Sequence, residues 1–225
     1  MAIGTVTYPG GALAKSGAFI GDVTNRVHHF DDFILGASGF SAAENSADGN
    51  TAGGTAVLVA GASADALGTT DEFIDISKPF ACEFRVSANA ITDAFSVGLA
   101  DTAGTNLSLY GSVSGSAVTA YATNRNMIVI GTEFGSADGQ LKIAENDGSG
   151  APVAATVSGY NVAAATMVRL GFYGDGSGDV VFTVDGKIAL RYTLTETITG
   201  PLALVANVGE GSVTIDWWAA TGERA

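Results

Sequence analysis

VVFTVDGKIALRY, residues 180–192, decides the fold class. Side chains alternate along a strand, so Val180, Phe182 and Val184 share one face of the first run, and Ile188, Leu190 and Tyr192 share one face of the second. Asp185-Gly186 stands between the runs. This pair supplies the positive φ angles that a type I′ turn requires, and the twist of that turn matches the strands it joins. The stretch predicts a two-residue antiparallel hairpin. Large apolar groups line one side, and Thr183, Arg191 and Thr193 the other.

Outward from this hairpin the same rhythm repeats. From Glu72 onward, strand-like runs come every 8–15 residues, separated by Gly, Asp and Asn. The runs are Pro79–Ser87, Phe95–Ala100, Met127–Ile130, Leu141–Ala144, Val153–Ser158, Met167–Tyr173, Leu202–Asn207 and Ser212–Trp218. Such spacing marks a sandwich or barrel. In the last run, alternation places Val213, Ile215 and Trp217 on one face and Thr214, Asp216 and Trp218 on the other. Helix signals are scarce; Asn161–Ala165 has the composition for a single turn.

Residues 1–70 read differently. They are rich in Gly, Ala, Ser and Asn, and only Val27–Leu35 and Thr55–Ala60 look like strands. The expected organisation is an extended N-terminal arm over residues 1–70 and an all-β antiparallel sandwich over residues 71–225. In the arm, Phe30, Phe33, Ile34 and Leu35 form a brief apolar cluster beside His28 and His29. That cluster is expected to serve as an attachment surface, with Trp218 either packed under the arm or exposed to a partner.

Composition narrows the function classes. The chain has 225 residues, net charge −13, 47% hydrophobic and 15% charged residues. Ten Lys and Arg are spread without a cluster, which argues against a nucleic-acid or anionic-membrane partner. Cys82 is the single cysteine, so no internal disulfide or thiolate zinc site can form. The first residues, MAIGTVTYPGG, lack the basic and long apolar regions of a signal peptide. Synthesis in a host cytoplasm is the expectation.

Two resemblances follow from these residues. MVRLGFYGDGSGDVVFTVDGKIALRYT (167–193) and PLALVANVGEGSVTIDWWAA (201–220), with FSVGLA (95–100) upstream, resemble the strand-and-turn pattern of concanavalin A-like jelly rolls, which include lectin and laminin-G-like domains. RVHHFDDFIL (26–35) with its Gly/Ser/Ala-rich continuation resembles structural proteins of tailed phages. Together they imply a non-enzymatic capsid decoration (cement) protein on a lectin-like sandwich. Its partners would be the major capsid protein and sister copies, in a homo-oligomer of trimer type, on the capsid exterior of a virion. The alternative is a carbohydrate-binding module with Trp218, Tyr173, Tyr192 or Tyr110 as stacking platforms.

Catalytic and metal patterns are incomplete. Lectin-like glycosidases carry three carboxylates at alternate positions of one strand. Asp71-Glu72-Phe73-Ile74-Asp75-Ile76 lacks the middle carboxylate in either register. Only His28 with Asp32, or His29 with Asp31, could share a metal on a strand, and a third ligand is not evident. Asp175, Ser177 and Asp179 place oxygen donors as calcium loops do, without the rest of a twelve-residue loop. These patterns imply no enzyme and no required cofactor, and leave that loop as the calcium candidate.

Overall fold

A computed structural model describes residues 26–31, 40–43, 54–60, 65–69, 71–101, 110–114, 117–121, 124–132 and 138–223. It is an antiparallel two-sheet sandwich with no helix among the described residues. The strands are β1 (Arg26–Asp31), β2 (Phe40–Ala43), β3 (Ala56–Val59), β4 (Asp65–Thr69), β5 (Ile74–Asp75), β6 (Phe80–Ala88), β7 (Ala94–Ala100), β8 (Tyr110–Ser114), β9 (Ala117–Tyr121), β10 (Asn126–Thr132), β11 (Gln140–Asp147), β12 (Val153–Asn161), β13 (Val168–Gly174), β14 (Asp179–Val184), β15 (Lys187–Thr193), β16 (Pro201–Glu210) and β17 (Ser212–Glu223). One sheet runs β1-β17-β6-β13-β14-β15, with β3 also on β17. The other runs β12-β11-β10-β7-β16-β4-β2, with β5 also on β16.

The hairpin expected at Asp185-Gly186 is present. Asp185 (φ 49°) and Gly186 (φ 76°) form the turn, and Val184 faces Lys187 across it. A register shift between Phe182 and Thr183 pairs Thr183 with Ile188, which moves Ile188 to the outer face, where it is 43% exposed. Val180, Phe182 and Val184 remain buried. Their side chains join Phe80, Phe84, Phe95, Phe172, Leu99 and Leu204 in the core between the sheets. Asn161–Ala165, read as a helical turn, instead holds the end of β12 and a turn in which Ala165 adopts a positive φ of 52°.

The boundary at residue 70 falls inside the sandwich. β1 and β3 are hydrogen-bonded to β17, β4 to β16, and β2 to β4. The segment read as an arm thus supplies strands to both sheets. Ala66, Leu67 and the rest of β4 are buried although DALGT has the composition of a loop. Close backbone approach elsewhere in the same sheet requires glycine. A Cβ added at Gly131 of β10 would lie 1.9 Å from the Phe95 carbonyl oxygen, and one at Gly98 of β7 would lie 2.3 Å from that of Ile128.

A β-bulge in β17 reverses the expected faces of the two tryptophans. The register shifts between Ile215 and Trp217, so Asp216 is the extra residue and the alternation changes phase. Trp218 then follows Val213 and Ile215 into the core, fully buried, with its ring edge-on to Phe84 at 6.3 Å between centroids. Trp217 lies outside, half-buried beside Phe30, with centroids 6.2 Å apart. Asp216 itself pairs with Arg85 on the outer face.

Candidate functional site

The outer side of the larger sheet is closed at its centre. Ala100, Met127, Val129, Ala144, Ala203 and Val205 point outward yet are buried. The β8–β9 hairpin lies against β16. These six side chains are apolar, and the outward rows continue into buried Ser96 and Asn207.

The outer side of the smaller sheet is different at its β13–β15 end. Tyr173 pairs with Val181, and Val181 with Arg191. One step of alternation along the strands lies a second row. Asp179 pairs with Thr193, and Asp175 follows Gly174, the last residue of β13, with both carboxylates on the lining of one cavity. The face is therefore a grid of two rows and three columns: Tyr173, Val181, Arg191, then Asp175, Asp179, Thr193. Strand spacing of about 4.8 Å and an alternate-residue step of about 6.7 Å make it roughly 10 by 7 Å. Pro79, Tyr173, Gly174, Asp175, Asp179, Val181 and Arg191 line a cavity of about 440 Å³ there. That size falls within the range of small-molecule pockets.

Local structure explains why the carboxylates stand where they do. Asp175 opens an Asx-type turn, accepting the Ser177 N–H at 2.9 Å. The hydrogen bonds from Ser177 hold the Asp175 carboxyl below the usual carboxylate range. Gly176 is packed so closely on Ser77 that a Cβ would meet the Ser77 carbonyl oxygen at 2.4 Å, which anchors the turn to the β5–β6 connection. Asp179 accepts the Thr193 hydroxyl at 2.6 Å. Arg191 is exposed and forms no ion pair among the described residues, and neither do Asp175 and Asp179. The grid offers an aromatic wall, an apolar floor, two carboxylate acceptors and an uncommitted guanidinium donor.

The structure separates the other residues singled out in the sequence. Trp218 is in the core and cannot stack on a ligand or a partner. Tyr192 also points inward, where its hydroxyl donates to Glu145 Oε1 at 2.7 Å; it is not a surface platform. His29 packs against Phe73 with centroids 5.5 Å apart, while Phe30 is 50% exposed. Phe33, Ile34, Leu35 and Asp32 lie outside the described residues, as do the side chains of His28, Asp31 and Tyr110. Asp75 is held by the Ser77 N–H at 3.0 Å, the Ser77 hydroxyl at 2.6 Å and Lys78 at 3.6 Å. β5 is only two residues long, so the Asp71–Ile76 carboxylates do not line one strand face. Among the described residues no group of three His, Cys, Asp or Glu side chains is placed to hold a metal. Of the calcium-type donors, Asp175 and Asp179 are at the pocket, with Ser177 between them in the turn.

No protein-family model matches the chain, and no curated protein matches it in sequence. Its fold has many solved counterparts. The carbohydrate recognition domain of Emp47p superposes with a TM-score of 0.60 at 12% identity, covering 91% of this chain and 100% of that one. The exoplasmic/lumenal domain of VIP36, solved with Ca2+ and Man3GlcNAc, gives 0.53 at 13% identity, covering 86% and 82%. A native glycosidic hydrolase gives 0.57 at 13% identity, covering 86% and 95%. The chain thus has the lectin-like, concanavalin A-like sandwich fold.

Proposed function

We infer that the chain is a non-catalytic carbohydrate-binding module whose ligand site is the Tyr173–Val181–Arg191 and Asp175–Asp179–Thr193 grid. The observation that carries this reading is the convergence of an aromatic ring, two carboxylates and a guanidinium without an ion pair among the described residues on one open cavity of about 440 Å³. A sugar ring offers apolar C–H faces to Tyr173 and Val181. Its hydroxyls donate to Asp175 and Asp179 and accept from Arg191. The fold supports the reading, since Emp47p and VIP36 present carbohydrate recognition on the same scaffold. Glycan-array screening is the test. Binding of a defined glycan, lost in both Tyr173→Ala and Arg191→Ala with unchanged thermal unfolding, is the expected result. No binding across neutral, amino and acidic glycans would end this reading.

A second reading, a decoration protein seated on a capsid exterior as a homo-oligomer, is favoured by one observation. Phe30 is half exposed against Trp217 at the β1 edge, next to the segment that continues into Phe33, Ile34 and Leu35. Buried aromatic anchors of this kind carry protein interfaces. Sedimentation velocity decides it: an oligomer disrupted by Phe30→Ser supports a docking edge, and a monomer at all concentrations opposes it.

A further inference from the structure

We propose that the ligand of this pocket carries a positive charge, as a sugar with a free amino group does. The inference rests on the carbohydrate reading above and adds the chemical class of the sugar. It starts from an arrangement that is unfavourable in the protein alone. Asp175 and Asp179 flank the turn between β13 and β14 and line the same cavity, where two like charges repel. Neither is paired with a protein cation among the described residues. Thr193 and Ser177 satisfy them as hydrogen-bond acceptors, and Arg191 on the same lining offsets only one of the two negative charges. The chain around them has net charge −13, so no general positive field offsets the pair.

The third wall identifies what the pair would attract. Tyr173 stands beside Asp175 and Asp179 on the same lining. An aromatic face next to carboxylates is the setting in which ammonium groups are held, through the ring quadrupole and charge-assisted hydrogen bonds. Arg191 is two strands from Tyr173, about 10 Å by strand spacing, with Val181 between them, and one strand and one row from Asp179, about 8 Å. This separation orients the ligand. The amino group belongs at the Tyr173–Asp175–Asp179 corner, and neutral hydroxyls face Arg191. A sugar acid would put its carboxylate near Arg191 but meet two carboxylates at the other row.

Three β-1,4-linked hexamers on one backbone test this: glucosamine, N-acetylglucosamine and glucose, titrated calorimetrically against the intact chain. The expected result is binding of the glucosamine hexamer on the order of tenfold tighter than either neutral hexamer. The advantage should shrink as salt rises from about 0.05 to about 0.5 M, where the Debye length falls from about 14 to about 4 Å. The double variant Asp175→Asn, Asp179→Asn keeps the Thr193 and Ser177 hydrogen bonds and should bring the three hexamers to parity. Equal binding of all three by the unaltered chain overturns the charge inference and leaves the carbohydrate reading standing. Glucosamine binding that survives the double variant also overturns it, since the attraction would then belong to the acidic surface at large. No binding of any hexamer, together with an empty glycan array, removes both. Tyr173→Ala, which should weaken all three hexamers, separates loss of the sugar site from loss of charge recognition.

Discussion

Glu145 is the group whose removal the structure penalises most legibly. It lies on β11, 1% exposed, in the larger sheet. Its Oε1 accepts the Tyr192 hydroxyl at 2.7 Å, the Thr195 N–H at 2.9 Å and the Thr195 hydroxyl at 2.7 Å; Oε2 faces the Glu196 N–H at 3.4 Å. Tyr192 belongs to β15 of the smaller sheet, so one carboxylate ties the two sheets together and fixes the β15–β16 connection. Hydrogen bonds to a charged acceptor contribute about 1.5–3 kcal/mol each and do not add. Glu145→Ala also leaves several donors without a partner. The expected loss is about 3–5 kcal/mol, against a typical total of about 5–15 kcal/mol. Urea unfolding followed by fluorescence and by far-UV circular dichroism measures it. A double-mutant cycle with Tyr192→Phe should show a coupling of about 1–3 kcal/mol, because the two side chains share a bond. A loss below about 1 kcal/mol, or no coupling, would refute the cross-sheet brace.

Other consequences are as direct. Thr221 is fully buried with its hydroxyl unpartnered among the described residues, so Thr221→Val should raise stability by about 1 kcal/mol and the melting temperature by about 2–4 °C. Gly131→Ala should cost about 3 kcal/mol, since its Cβ would sit 1.9 Å from the Phe95 carbonyl oxygen and the strands would have to part. Burial, and after it the Glu145 carboxylate, raises the Tyr192 pKa. The unfolded chain then loses this proton first, near pH 10, and stability falls as pH rises from there through the folded value. In urea titrations from pH 8 to 11 the gap between the unaltered chain and Tyr192→Phe should narrow. Deleting residues 1–50 removes β1 and β2, so the melting temperature should drop; an unchanged value would mean these strands add nothing to the sandwich.

What the sequence disclosed depended on how local the cause was. The Asp185-Gly186 turn was legible because two residues dictate its φ angles. The tryptophan faces were not, because the bulge at Asp216 is set by pairing with β6, far away in the chain. β4 was missed since Asp65–Thr69 has little intrinsic strand preference and is held as a strand by pairing with the distant β16 and with β2. Tyr173, Asp175 and Asp179 were each noticed, but for separate chemistries. The expected hairpin put Arg191 and Thr193 on its outer face; joining Tyr173, Val181 and Asp179 to them took the register of β13 to β15, and joining Asp175 took the turn beyond β13.

The most direct test of the central claim is a backbone NMR titration with a glycan selected from the array. The account predicts that chemical-shift changes concentrate on Tyr173–Val181 and Arg191–Thr193, at the outer face of the smaller sheet. Changes concentrated instead on the outer side of the larger sheet, around Ala100, Val129 and Val205, would contradict it.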